Sequence, residues 1–175
     1  QECGDYLLEA LELGRLVRAG EYVQVMAPRH MGKSSLMARL AEELRAEDHH
    51  VAVVDLTQVG ARERPDDLGR WFYSFAFRLI RQLRLKVDLQ EWWQDKAVLT
   101  NRQRLTELYW DLILESTSGP VTIFIDEMQC LDNFPGVEQL LASIRAAHNA
   151  RAAEPGRPGL VFVVLGMSVP EGFDA

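Results

Sequence analysis

The sequence has 175 residues with 26 acidic and 19 basic side chains, which gives a formal net charge of -7 at pH 7. Hydrophobic residues make up 47% and charged residues 26%, as is typical of one soluble globular domain. The acidic balance argues against broad, sequence-independent DNA binding, which needs clustered Lys and Arg. No apolar run approaches the roughly 18 residues of a membrane span, and no signal segment opens the sequence.

The cysteines indicate a cellular location, and the two ends of the sequence indicate the domain organisation. Cys3 and Cys130 lack the spacing of a metal site or a disulfide framework, so we expect a reducing, cytoplasmic location. The sequence begins at Gln1 and ends at Ala175 just after an apolar run. We therefore expect residues 1–175 to form a single domain that is part of a longer multidomain protein.

Helix and strand patterns alternate from the start of the chain. A helix is expected over residues 5–18, ending near Gly20, which suits a helix C-terminus. Residues 22–26 are expected to form a short strand, and residues 33–45 a helix with one apolar face. Residues 51–56 form a continuous apolar strand that is interrupted only by Asp55.

The alternation continues to the end of the chain. Pro65 is placed near the first turn of a long helix. The apolar positions of that helix recur at helical spacing: Leu68, Trp71, Phe72, Phe75, Ala76, Leu79, Ile80 and Leu83. Thr100 and Gln103 resemble a capping box that opens another helix, which Gly119-Pro120 ends. Residues 121–125 and 160–165 are expected to be strands and residues 137–150 a helix. Apolar strands separated by helices predict a three-layer α/β domain with a mostly parallel central sheet.

A phosphate-binding loop is the strongest local signal. Between the first strand and its helix lies Met31-Gly32-Lys33-Ser34-Ser35. Backbone N–H groups and the positive end of a helix attract phosphate there, with Lys33 reaching the β- and γ-phosphates and the Ser34 hydroxyl coordinating magnesium. The full motif has glycine where this chain has Ala27. The alternative is that Gly-Lys-Ser-Ser merely begins a helix. The residues expected to contact the nucleotide are Pro28, Arg29, His30, Met31, Gly32, Lys33, Ser34 and Ser35.

A pair of carboxylates follows the third strand. Residues 121–125 deliver Asp126 and Glu127 to the carboxyl end of the sheet, where ligands of open α/β sheets bind. We expect Asp126 to hold magnesium and Glu127 to orient and deprotonate the attacking water. Solvated acids often end strands, but the upstream Lys33 makes the joint interpretation strong. The adjacent glutamate favours ATP over GTP, and the sequence has no Asn-Lys-x-Asp guanine-reading element.

The order of the strands points to a subclass. The strand at 51–56 lies between the two motifs, which is the order of ATPases in which a further strand, here 160–165, inserts between the two motif strands. The chain also resembles the AAA-like domain of bacterial STAND-type signalling ATPases, within the ASCE division. The resemblance rests on the loop in 21–37, where His30 replaces the usual glutamine, and on the segments 54–60, 71–73, 124–127 and 165–170.

The resemblance implies a P-loop NTPase fold, ATP and Mg²⁺ as ligands, and effector or repeat modules in the same polypeptide. It also implies a homo-oligomer as a possible assembly, and a C-terminal strand and lid that this sequence is expected to lack. Ser168 resembles the polar sensor that contacts the γ-phosphate or the attacking water; an ordinary strand-end serine is the alternative. An arginine finger is left unassigned among Arg145, Arg151 and Arg157.

Several other residues are weaker candidates for function. Asp55 and Thr57 could support the magnesium shell, although a solvated strand end is the simpler interpretation. Trp92 and Trp93 are expected to pack in the core rather than form a partner surface. The remaining expectations are an exposed His49-His50 pair and a structural Cys130. Arg29 and His30 could touch nucleotide or a neighbouring subunit, and packing or pairing with a nearby acid is the alternative for Arg29.

The sequence thus predicts an ATP-binding and ATP-hydrolysing switch domain of a multidomain signalling protein, with Glu127 and Lys33 as catalytic residues. Two alternatives stay open. One is a scaffold module that holds nucleotide with little turnover. The other is an initiator-type or transposition-type ATPase that acts on DNA, against which the acidic balance counts.

Overall fold

The computed structural model describes residues 2–28, 31–60, 67–156 and 159–168, with the side chains described from residue 9 onward. In that part of the chain, helices and strands alternate as the sequence predicts. The helices are α1 (Glu2–Ala19), α2 (Lys33–Ala46), α3 (Leu68–Gln82), α4 (Leu89–Asp95), α5 (Asn101–Glu107) and α6 (Val137–Ala153). The strands are β1 (Val23–Met26), β2 (His50–Asp55), β3 (Val121–Asp126) and β4 (Leu160–Gly166).

The four strands form one parallel sheet in the order β1-β4-β3-β2. β4, the last strand in sequence, therefore lies between β1 and β3, which confirms the predicted insertion between the two motif strands. The register pairs Met26 with Gly166 and Asp55 with Asp126. As a result, the carboxyl ends of all four strands meet along one edge of the sheet.

Helices cover both faces of this sheet, so the three-layer α/β prediction is confirmed. Alternate residues of β3 point to opposite faces. Phe124 packs with α1 and α2 residues such as Leu40 and Leu44 in one buried cluster. Ile123 and Ile125 pack with residues of α3, α5 and α6 in a second, larger cluster. Every residue of β3 and β4 is buried, as expected for central strands of a parallel sheet.

Two helix starts show how well local signals work here. The capping box is confirmed, since Gln103 N donates to Thr100 Oγ1 at 3.3 Å and Thr100 N donates to Gln103 Oε1 at 3.0 Å. The sequence placed the opening of the long helix at Pro65, near the first turn. α3 begins at Leu68 because the carboxylate of Asp67 accepts from Arg70 N at 3.0 Å and caps the helix, and Pro65 lies outside the described residues.

Three smaller expectations have mixed outcomes. Trp93 is 7% exposed and packs in the larger core cluster, with Trp92 against it, so the core interpretation of this pair is confirmed. The helix after Thr100 changes to a π-helical turn over Leu108–Ile113, well before Gly119. The expected exposure of the His49-His50 pair is wrong: both residues are half-buried, because His50 begins β2 and pairs with Val121.

In the described ranges, the helices are too short or too polar to cross a membrane.

Leu44 tests the packing between α2 and the sheet. Its side chain is 0% exposed, so Leu44→Ala leaves a cavity and should lower the free energy of unfolding by about 2–5 kcal/mol. Leu11, which is 70% exposed, gives the matched control, and Leu11→Ala should change the free energy by no more than about 0.5 kcal/mol. Urea denaturation followed by circular dichroism measures both; equal effects would contradict the assigned packing.

Candidate functional site

The candidate site lies where β1, β3 and β4 end and α2 begins. Ala27 N donates to Gly166 O at 3.1 Å, which extends the β1–β4 ladder one residue beyond β1. This bond ties the entry of the phosphate loop to the end of β4. The two sequence motifs therefore lie at one edge of the sheet, although more than ninety residues separate them along the chain.

Gly32 sets the conformation from which α2 starts. Its φ is 78°, in the left-handed region, which glycine adopts without the steric cost of a Cβ atom. Its carbonyl accepts from Leu36 N at 2.9 Å, closing the first helical turn. The first backbone N–H groups of a helix have no partner within the helix and carry a partial positive charge. The start of α2 is therefore suited to attract an anion.

Lys33 and Asp126, which the sequence assigned to different ligands, contact each other directly. Lys33 Nζ lies 2.9 Å from Asp126 Oδ1, and the two side chains are only 10% and 8% exposed. Both charges are thus held near the sheet edge with little water around them. An ion pair with this little exposure is stronger than a surface pair, and each charge depends on the other to remain in place.

The two adjacent carboxylates have different surroundings. Asp126 Oδ1 also accepts from Glu127 N at 2.8 Å, which turns the backbone sharply after β3. Glu127 has a φ of 63°, in the left-handed region that a non-glycine residue rarely adopts. A strained backbone of this kind is often found at functional sites. The turn leaves Glu127 half-buried beside the end of β4.

Gln129 is a residue of this site that sequence reasoning missed. Its Nε2 donates to Glu127 Oε2, and its Oε1 accepts from Met167 N at 3.2 Å. One side-chain amide thus connects the carboxylate of Glu127 to the segment that follows β4. The available signal was a polar residue two positions after the acid pair, in a turn between apolar neighbours. A single sequence does not distinguish such a residue from a solvated one.

The remaining predicted site residues are exposed or lie outside the described part of the chain. Ser34 and Ser35 are exposed in the first turn of α2, with Pro28 and Met31 exposed in the preceding loop. Ser168 lies two residues beyond β4 and is exposed. Arg29 and His30 lie outside the described residues. The residues that the structure brings into direct contact are Lys33 with Asp126 and Glu127 with Gln129.

Four weaker candidates have structural roles. Asp55 Oδ1 accepts from Thr57 N at 2.9 Å and from Thr57 Oγ1 at 2.6 Å, so this carboxylate caps the short helix Leu56–Gln58. Cys130 is half-buried and packs against the larger core cluster. Arg151 donates to the carbonyl of Ala19 at 3.1 Å and to that of Gly20.

Arg151 therefore fastens the end of α1 at the amino edge of the sheet, away from the candidate site. Arg145 lies 3.9 Å from Glu138 on the same helix, and Arg157 lies outside the described residues. Nothing in these contacts selects an arginine finger.

The oxygen donors at this edge fit a magnesium ion. Mg²⁺ prefers hard oxygen ligands, keeps several waters, and is bound in proteins by one or two carboxylates together with substrate phosphates. Asp126 supplies a carboxylate beside the start of α2, and Ser34 supplies an exposed hydroxyl there. Among the described residues, no three or more His, Cys, Asp or Glu side chains are grouped so that they could hold a metal ion by themselves.

Comparison with known proteins agrees with this geometry. A family model described as an AAA-like domain matches residues 6–165. An uncharacterised WD repeat-containing protein from Synechocystis is 29% identical over 163 residues, which cover 91% of this chain but 13% of the relative. The chain therefore spans a small part of that relative's length.

Two solved structures share the fold. The Aeropyrum pernix ORC2 protein in ADPNP-ADP complexes has a TM-score of 0.55 at 14% identity, over 93% of this chain and 40% of that one. Its ADP form has a TM-score of 0.54 at 16% identity, over 94% and 40%. At these identities the likeness concerns the fold alone.

Removal of one partner of the Lys33–Asp126 pair should lower stability measurably. Lys33→Met leaves the carboxylate of Asp126 nearly buried without its cation, so we expect the free energy of unfolding to fall by about 1–3 kcal/mol. Arg39 pairs with Glu43 at 3.3 Å, but these side chains are 62% and 49% exposed. Arg39→Ala should therefore cost less than about 1 kcal/mol. Chemical denaturation of both variants decides; a Lys33→Met effect no larger than the control would contradict the buried pair.

Proposed function

Because the chain belongs to the AAA-like domain family, we propose that it binds and hydrolyses ATP with magnesium as the switch domain of a multidomain protein. The observation that carries the proposal is the convergence of Gly32, Lys33, Asp126 and Glu127 at one edge of the sheet. This edge combines a cation, two carboxylates and the positive end of a helix. Those are the groups that a nucleoside triphosphate and its counterion require.

The phosphate chain would lie across the start of α2. The left-handed Gly32 allows close approach of the backbone, and the first N–H groups of the helix donate to phosphate oxygens. Lys33 already points to the space between α2 and β3, because it reaches Asp126 there. A phosphate oxygen would then neutralise part of the positive charge of Lys33, which Asp126 neutralises in its absence. Ala27 in place of glycine changes the loop entry but leaves these donors intact.

Magnesium would be held by Ser34 and Asp126, whose oxygens suit the ion. When bound, the ion supplies charge neutralisation on the phosphate oxygens. Asp126 would then exchange its contact with Lys33 for one with magnesium, and Lys33 would exchange Asp126 for a phosphate oxygen. The two exchanges would be coupled because they break the same ion pair. The pairing of the two side chains, at 2.9 Å, keeps each charge satisfied until the exchange.

Glu127 would orient the attacking water and accept its proton, and Gln129 would position Glu127. The Gln129 amide donates to one carboxylate oxygen, Oε2, so the other oxygen can face a water molecule. The same amide accepts from Met167 N, next to Ser168. A movement of the segment after β4 would therefore be transmitted to Glu127 through one side chain, which is a physical basis for switching.

The comparisons suggest the setting in which such a switch works. The Synechocystis relative carries WD repeats and is much longer than this chain, which favours repeat modules in the same polypeptide. The ORC2 protein of similar fold was solved with ADP and with ADPNP-ADP, which favours adenine nucleotide here. The net charge of -7 favours a signalling role over DNA binding as the output.

Lys33 and Glu127 should separate binding from turnover. Lys33→Ala should weaken ATP affinity about 10- to 100-fold, because a charge-assisted contact to phosphate is lost. Glu127→Gln should retain the affinity and lower the turnover number roughly 100-fold, as expected for loss of a general base. Calorimetry with and without Mg²⁺ and a phosphate-release assay measure these effects. Glu115→Gln, which changes an exposed acid, is the control.

Each outcome bears on a different part of the proposal. Wild-type ATP affinity in folded Lys33→Ala would refute the assigned phosphate site. Tight, Lys33-dependent binding without turnover by the wild type would favour a nucleotide-holding scaffold.

Gln129→Met tests the positioning role. Methionine keeps the length of the side chain but removes both hydrogen bonds, so Glu127 loses its orientation while the phosphate site is untouched. We expect the turnover number to fall roughly tenfold or more, with ATP affinity unchanged within about threefold. Faster amide hydrogen exchange at Met167 should accompany the change, because its N–H loses its acceptor. Unchanged turnover in Gln129→Met would contradict the role assigned to Gln129.

A further inference from the structure

A second concave surface lies at the amino edge of the sheet, opposite the candidate nucleotide site. It forms where α2 and α3 end and β2 begins, and its cavity volume is about 420 Å³. β2 has six residues, so at about 3.3 Å per residue the two edges lie roughly 15–20 Å apart. None of the residues that line this pocket belongs to the candidate nucleotide site.

The lining of the pocket is strongly basic in an acidic chain. Arg45, Arg81 and Arg84 come from the ends of the two helices, and His49 and His50 from the start of β2. The other lining residues are Val51, Gln82 and Leu83. Among the described residues, therefore, those that line the pocket include no carboxylate, although the chain has a net charge of -7.

The structure holds several of these groups in place. Arg45 Nη2 lies 3.5 Å from the carbonyl of Val51, which keeps this guanidinium over the start of β2. Gln82 Oε1 accepts from Val53 N at 3.2 Å and fixes the end of α3 against the same strand. Arg84 has a φ of 55°, at a position after a helix where glycine is usual. An arginine there places a cation in the pocket despite the strain on its backbone.

His49, which lines the pocket, has one ring nitrogen without a hydrogen-bond partner among the described residues. That atom, Nδ1, is buried. Buried polar atoms in native proteins nearly always have a partner, so such an atom calls for an explanation.

We propose that this pocket binds a compact polyphosphate, separately from the nucleotide site at the carboxyl edge. Guanidinium groups match phosphate oxygens in a planar, bidentate geometry, and three of them in a small cavity suit a ligand with several negative charges. A volume of about 420 Å³ lies within the usual range for small-molecule sites. The simpler alternative is that the arginines only offset the negative ends of the α2 and α3 dipoles, in which case no anion binds.

The test separates the two sites by using the Lys33→Ala chain, in which the phosphate loop is disabled. Inorganic pyrophosphate is titrated into this protein by calorimetry at low ionic strength, and we expect binding at one site. Adding Arg81→Ala and Arg84→Ala should weaken that binding roughly tenfold or more. Arg70→Ala with Arg102→Ala, which removes the same charge from two other exposed arginines, should leave the affinity within about twofold. Circular dichroism confirms that each variant is folded.

The outcomes discriminate clearly. No pyrophosphate binding to folded Lys33→Ala would overturn the proposal, as would an equal loss in both double-arginine variants, which would indicate general electrostatic attraction. Tripolyphosphate and ATP are then compared on the same protein. Equal affinities favour a free polyphosphate as the ligand, whereas tighter binding of ATP that Arg81→Ala with Arg84→Ala removes favours a nucleotide. ATP binding that these two substitutions leave unchanged lies at the nucleotide site and would overturn a nucleotide in this pocket. Because Lys33→Ala is the starting protein, failure at the nucleotide site does not affect this result.

Discussion

The parallel pairing of β4 between β1 and β3 is the constraint on which the candidate site depends. β4 pairs with β3 over Leu160–Val164 and with β1 over Val163–Gly166, and it is buried throughout. It sets the spacing between the loop after β1 and the acid pair after β3. At this spacing, Lys33 Nζ reaches Asp126 Oδ1 at 2.9 Å, and the end of β4 lies within reach of Gln129.

The groups at the carboxyl edge are held by contacts that are mutually dependent. Asp126 accepts from Lys33 and from the backbone of Glu127, and Glu127 accepts from Gln129, which in turn accepts from the segment after β4. A change at any of these positions removes a contact from its neighbour in the set. In the proposed function, phosphate and magnesium would compete for contacts that already exist within this set, which is how a ligand would shift it.

The two edges of the sheet use helix ends in opposite ways. At the carboxyl edge, the positive start of α2 lies beside carboxylates and a lysine, which suits a phosphate bound together with a cation. At the amino edge, the negative ends of α2 and α3 carry arginines, whose charge is opposite to that of the helix ends. Positive side chains thus gather at the amino edge despite the acidic total of the chain, whereas at the carboxyl edge the charge of Lys33 is matched by a carboxylate.

Sequence reasoning performed well where the physical cause is local. Unbroken apolar runs predicted the strands, helical spacing predicted α3, and the Thr100–Gln103 pair predicted the start of α5. Gly32 before Lys33 predicted the loop from the motif alone, and the structure adds that Gly32 is left-handed, a conformation that glycine adopts without steric cost. The order of motifs and strands was enough to predict that β4 inserts between β1 and β3. The start of α3 was misplaced because two neighbouring signals competed, and the carboxylate of Asp67 caps the helix after Pro65.

Tertiary structure alone decided which side chains meet. Gln129 could not be distinguished from an exposed glutamine until β4 brought Met167 N to its amide. The basic pocket draws on α2, β2 and α3, whose arginines and histidines are unremarkable in sequence and become a cluster only when the helices end at the same edge. The residues that act through their own backbone or their own helix could be identified from sequence by itself. Those that act through a partner far away in the chain could not, because distance in space depends on the packing of the whole sheet.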